Sequence, residues 1–262
     1  MSKRIASAVA LLGAASIISG CDIKQPSAGC QVQDADVAAW QAVYTLKTSP
    51  DATKCQARWG EALGVFKYVD PETPNSNRLA IRPEGAAALT EYTMDDEDET
   101  VVSRVDSATV ATSIAAELAE GPDEKTGLCA ATEFAPATVA AREVRIEATN
   151  EVLVAAQTVS YAFENVQVYS APRAPGTQLK GTLKYTDSST GCEAEYDMLA
   201  LWPQTACDME AFENPTEQNK ADRCDVGSGI NPDFDAVCLP IGHDGDGACV
   251  PNPAKGIPSF KE

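Results

Sequence analysis

The sequence predicts an antiparallel all-β protein, a sandwich or an open barrel, followed by a disulfide-stapled and mostly irregular C-terminal segment. Three observations predict it. Residues 178–202 hold two runs of period-two alternation joined by a short glycine-containing loop. Upstream, branched and aromatic residues gather in short runs of strand length. After Pro203 the composition shifts: the last sixty residues carry four cysteines and thirteen prolines plus glycines, with three aromatics. Such a segment builds little core alone and needs covalent staples.

The hairpin at 178–202 is the firmest element. Leu179, Gly181, Leu183 and Tyr185 alternate with polar residues, then Asp187 to Gly191 turns the chain. The returning run places Cys192, Ala194, Tyr196, Met198, Ala200 and Trp202 on one face, with Glu193, Glu195 and Asp197 opposite. Lysines on one strand thus meet acids on the other, a favourable cross-strand match. Trp202 is expected to close the inward series as a core residue, with Pro203 ending the strand.

Earlier elements follow the same grammar. EVRIEA and VLVAA, on either side of Thr149-Asn150-Glu151, form a second expected hairpin. In TVSYAFENVQV, Val159, Tyr161 and Phe163 alternate, whereas Val166 and Val168 take the opposite parity, so a bulge is expected near Glu164-Asn165. EALGVFKYVD and RLAIRP read as short strands. DADVAAWQAVYTLK and SATVATSIAAELAEG fit either period, and both are assigned as strands because hairpins surround them.

The N-terminus is a separate object. Lys3 and Arg4 precede sixteen largely apolar residues, 5–20. A spanning helix needs about 20, so a short apolar core behind a positive start reads as a secretory signal. Its end, Ile18-Ser19-Gly20-Cys21, resembles the lipobox of bacterial lipoproteins. That resemblance implies diacylglycerol on the Cys21 thiol, cleavage just before it, and acylation of the new amino group. Two acyl chains already hold a protein stably to a bilayer. The polar, proline-broken stretch that follows suits a tether. The expected organisation is therefore a signal at 1–20, a lipidated tether at 21–29, a β domain at 30–202 and a cysteine-, proline- and glycine-rich appendage at 203–262. Asp22 resembles an inner-membrane retention signal of enterobacteria, a rule other lineages do not all keep. The expected location is the lipid-anchored cell envelope, with the outer membrane favoured over the inner.

Nine cysteines are present. Lipid on Cys21 leaves an even set: Cys30, Cys55, Cys129, Cys192, Cys207, Cys224, Cys238 and Cys249. In an oxidising compartment these read as up to four disulfides. Their connectivity is open, with Cys238 and Cys249 favoured as one bridge because the loop between them is short. No C-x-x-C occurs and His243 is the single histidine, so no usual zinc set is visible and no metal or other cofactor is expected.

Acidic residues outnumber basic ones 39 to 20. Such a surface repels nucleic acid, which is not an expected partner. Asp95 to Glu99 supply five carboxylates in a row, expected to be a solvated loop and not a calcium site. His243-Asp244-Gly245-Asp246-Gly247 starts like a calcium loop, but Ala248 and Cys249 break the pattern. His243 could serve a hydrolase only from the stapled tail, and no G-x-S-x-G accompanies it. Trp40, Trp59 and Trp202 could stack on sugars, but the hairpin patterning favours packing. No catalytic residue is assigned, and an enzyme is not expected.

Beyond the lipobox, the chain resembles cysteine-rich surface lipoproteins of the myxobacterial type. The features are the acidic, alanine-rich β domain, scattered cysteines, and Y-x-x-x-A-L-W-P (Tyr196 to Pro203) before a cysteine. The expected function is a lipid-anchored lipoprotein with a structural or binding role in a surface assembly, its partners being the membrane and other envelope proteins or surface polymers. A lipocalin-like carrier of an apolar ligand is the alternative, and a surface hydrolase the third reading.

Overall fold

The computed structural model describes residues 29–55, 59–69, 71–72, 76–91, 104–105, 110–145, 149–241 and 247–262. The lipobox, the acidic run at 95–99 and His243 lie outside them. Among the described residues, eleven strands and a short α-helix precede the appendage: β1 (Trp40–Thr48), β2 (Gly60–Val69), β3 (Asn77–Pro83), α1 (Glu84–Glu91), β4 (Ser113–Leu118), β5 (Leu128–Ala135), β6 (Ala137–Ala141), β7 (Val144–Arg145), β8 (Val152–Val154), β9 (Gln157–Tyr169), β10 (Gln178–Asp187) and β11 (Cys192–Leu201).

Every pairing in the large sheet is antiparallel, and neighbours follow chain order from β1 to β5 and again from β9 to β11. The sheet closes on itself, since β11 pairs with β1 while β9 pairs with both β5 and β10. β5 and β6 run end to end along the same edge of β9, interrupted at Pro136, which has no N–H for a ladder. They act as one stave, giving a closed eight-stave barrel, where the sequence had left sandwich and open barrel as alternatives. Closure removes sheet edges. The β7–β8 hairpin projects between β6 and β9. The expected bulge is present: Lys180 faces Gln167 but Thr182 faces Glu164, with Asn165 at φ 53°.

Alternation fills the barrel. Trp40, Ala42 and Tyr44 point inward from β1, Leu63 and Val65 from β2, Tyr161 and Phe163 from β9, and Tyr196 and Met198 from β11, all buried. An eight-stranded barrel is just wide enough for side chains to occupy its interior. Both ambiguous segments contain a strand, β1 and β4, although the first begins with a turn over residues 35–37. Their alternating residues meet neighbours on both sides, which outweighs the helix propensity of alanine and glutamate.

Each mouth is covered. At the upper mouth, residues 29–39 cross the opening, where Ala35 N–H donates to the Val65 carbonyl and Gln33 N–H to the Gly176 carbonyl. A Cβ on Gly176 would strike the backbone of Gln31, so the crossing requires glycine there. The Cys30–Cys129 disulfide staples this strap to β5. At the lower mouth α1 plugs the barrel, burying Ala86, and Cys55–Cys192 ties the β1–β2 loop to β11.

The appendage is mostly irregular, as expected, around a small ordered nucleus. β12 (Ala206–Cys207), α2 (Met209–Glu213), β13 (Ala236–Pro240) and β14 (Gly247–Pro251) form a three-stranded sheet, order β12-β14-β13, with one short helix. Asp208 caps α2 by accepting from the N–H groups of Glu210 and Ala211. Leu201, Ile230, Phe234, Cys249 and Ile257 make a second core against the outer face of the barrel near its upper end. That cover explains why Gln41 and Val43, on the outward face of β1, are also buried.

Two expectations need correction. Cys238 and Cys249 stand opposite each other in the β13–β14 ladder, yet they are not bonded to each other. Cys238 pairs with Cys207 and Cys249 with Cys224. The Cys207–Cys238 bridge passes over Gly247 of the middle strand, where a Cβ would overlap both sulfurs. It ties three strands, whereas a Cys238–Cys249 bond would only re-close a hairpin. Trp202, expected as core, is only partly buried and follows the end of β11. It packs against the barrel core from the rim, and its indole N–H donates to the Ala38 carbonyl at 2.9 Å, so it also holds the strap. Trp40 is the tryptophan with no exposure.

Candidate functional site

The barrel's lower half holds the polar chemistry. Glu61 occupies an inward position on β2, in phase with Leu63 and Val65, and is 7% exposed. Its Oε1 accepts from Tyr44 Oη at 3.0 Å, and its Oε2 from Tyr161 Oη at 3.4 Å and the Gly85 N–H at 2.7 Å. Glu84 reciprocates from the start of α1, accepting the Ala62 N–H at 3.3 Å. The two carboxylates therefore clasp the plug to β2, and the tyrosines satisfy a charge that burial would otherwise penalise. The Glu61–Leu63–Val65 parity was the one sequence signal that could have revealed this residue as inward-facing.

Asp187, at the β10–β11 turn, is a second buried carboxylate. Its Oδ1 accepts from the Ser189 N–H and hydroxyl and from Gln157 Nε2, and its Oδ2 from Tyr185 Oη at 3.3 Å. Burial pushes its pKa up, but the bonds from Ser189, Gln157 and Tyr185 outweigh that and hold it below the ordinary carboxylate value. On the outer wall, Lys184 pairs with Glu164, and Lys47 pairs with Glu195 at 2.6 Å and Asp197 at 3.6 Å. The cross-strand lysine–acid match read from the sequence is thus a stripe over four strands, with Lys47 of β1 taking the acid opposite Lys184.

The remaining candidates do not converge. Trp40 lies inside the upper barrel, Trp59 is 56% exposed beside the lower end of β1, and Trp202 is at the strap. The sulfurs of Cys207, Cys224 and Cys249 come within 4.8 Å of one another, but each is spent in a disulfide and so unavailable as a thiolate ligand. Two hollows open on the wall. One of about 400 Å³ lies over β9, β10 and β11. The other, about 660 Å³, lies between β5 and β9. Among the described residues no helix is long and apolar enough to cross a membrane.

A side-chain-filled antiparallel barrel, strapped and plugged at its mouths and carrying four disulfides, defines a class: a disulfide-stapled β-barrel, with the covalent pattern common in proteins of oxidising compartments. Within that class the chain belongs to the MlpA family, whose profile matches residues 38–203 and so spans the barrel from β1 through β11. It is 39% identical over 270 residues to "Putative lipoprotein MlpA" of Myxococcus xanthus, with both chains covered end to end. The resemblance to myxobacterial lipoproteins is thereby established. No solved structure matches the chain.

Proposed function

We propose that this lipoprotein is anchored by lipid on Cys21 and holds its barrel at the envelope surface, outer membrane favoured, as a structural or binding component of a surface assembly. The observation that carries the reading is the cysteine pairing. Eight of nine cysteines are consumed in four disulfides, so Cys21, at the lipobox-like position, is the thiol left for acylation. Metabolic labelling with an alkyne fatty acid tests it: Cys21→Ser should abolish label and leave the barrel folded. Equal labelling of both proteins would sink the anchor.

The carrier alternative is less well supported. Trp40, Tyr44, Tyr161, Tyr196 and Met198 already occupy the barrel where a lipocalin-like ligand would lie. Recognition on the outer wall and loops is the reading that fits a filled interior. Envelope fractionation of the lipidated chain would place it in one membrane or the other.

A further inference from the structure

We infer that the breach between β5 and β9 is a docking groove for an extended, basic segment of a partner polypeptide, recognised by strand addition. The ladder between these staves stops at Ala131–Val166 and resumes at Ala137–Tyr161. Five residues on one side and four on the other are left without cross-strand partners along these facing edges. The outer sides of the same staves remain paired, Thr132 and Phe134 with β4 and Phe163 and Glu164 with β10. The opening is therefore a local parting of an intact wall. At about 3.3 Å per residue it is about 13–17 Å tall, room for four or five residues of extended chain.

The sequence builds this opening deliberately. Pro136 cannot donate to a ladder. Glu133 on one side of the gap and Asn165 on the other both line the hollow and are non-glycine residues in the left-handed region, at φ 55° and 53°. The floor is aromatic, with Phe134 edge-on to Phe163 at 6.2 Å between ring centroids. The 660 Å³ hollow over it is lined by these two segments. Facing backbone edges supply the hydrogen bonds of strand addition, and the floor takes alternate apolar side chains.

Charge selects the occupant. Glu133 and Glu164 stand exposed on the rim, and exposed Glu117 lies across the ladder from Thr132. Lys184 balances Glu164, which leaves a net acidic rim on a chain of formal charge −19. An alternating basic and apolar strand matches rim and floor together. This rests on the binding role proposed above and is independent of the anchor, because peptide binding is read whatever the fate of Cys21.

The test is fluorescence anisotropy with the full, oxidised chain in detergent and fluorescein-labelled Lys-Val-Lys-Val-Lys. Controls are Glu-Val-Glu-Val-Glu and the basic peptide N-methylated at alternate backbone nitrogens. The basic peptide should bind at least about tenfold more tightly than the acidic one, as expected for complementary rim charge. N-methylation should remove binding, and the surface variant Glu117→Lys/Glu133→Lys should weaken it about tenfold with an unchanged unfolding curve. Absence of binding at millimolar peptide, equal binding of the N-methylated peptide, or indifference to the double variant would each overturn the proposal.

Discussion

Trp40 and Trp202 both give their indole N–H to a carbonyl of the strap region, Gln33 and Ala38 respectively, yet they support different things. Trp40 is wholly inside the barrel, so Trp40→Ala should cost about 3–5 kcal/mol, the loss typical of a buried large side chain. Trp202 is partly exposed, and Trp202→Ala should cost about 1–2 kcal/mol, mostly from the lost bond and partial burial. Urea unfolding of the two variants decides between them; equal losses would contradict the assignment. Asp187 gives the second residue-scale prediction. Its folded pKa lies below its ordinary 3.8, so it adds stability above that value and withdraws it as pH falls through the folded pKa. Glu195, held down chiefly by its bond from Lys47, acts in the same direction. Wild type should therefore lose stability as pH falls below the ordinary carboxylate range and through the lowered folded pKa values. Asp187→Asn should be less stable at neutral pH by about 1–3 kcal/mol and show a shallower acid loss, followed by the urea midpoint against pH. A loss as steep as wild type would show that Asp187 contributes nothing to it.

At the scale of elements, what was legible was periodicity. The 178–202 hairpin, the hairpin around Asn150 and the bulge at Glu164-Asn165 follow from alternation, because a strand repeats every two residues and one extra residue reverses parity, whereas β2 and β3 follow from their branched and aromatic residues. β5 and β6 were not read at all, since LCAATEFAPATVAA is alanine-rich and broken by Pro136, and alanine carries little strand signal. Helix α1 was missed for a related reason. EGAAALTE is one short amphipathic stretch directly after a strand, held by Glu61 of β2 and not by its own propensity. Nor could sequence distance choose the disulfides, since it ignores the strand lying between partners. Mass mapping of the unreduced protein should recover Cys207–Cys238 and Cys224–Cys249 as linked peptides. Gly247→Ala should place a methyl against the first bridge and destabilise the appendage by about 1–3 kcal/mol. Recovery of a Cys238–Cys249 peptide, or a Gly247→Ala protein as stable as wild type, would contradict the three-strand arrangement.

For the whole molecule, the proposed anchor at Cys21 would act on the barrel through its staples. Cys30 is fixed to β5 at the upper mouth, and the strap, the β4–β5 turn and the appendage all gather at that end. Nine residue steps separate Cys21 from Cys30. At about 3.3–3.6 Å per residue, they reach no more than about 32 Å. With lipid on Cys21, the upper mouth is consequently kept near the bilayer. Ten-residue strands tilted as in small barrels make the wall about 25 Å high, so the lower mouth projects by roughly that much more. The plug α1, the β7–β8 hairpin and the Cys55–Cys192 turn then point away from the membrane. This predicts a polarity that can be measured on the lipidated full chain in vesicles bearing headgroup quenchers. A fluorophore at Lys125, exposed in the β4–β5 turn, should be quenched strongly, and one at Thr190, exposed in the β10–β11 turn, weakly. Equal quenching would mean that the barrel tumbles freely on its tether. Stronger quenching at Thr190 would turn the molecule over and put the plugged mouth, in place of the strapped one, against the bilayer.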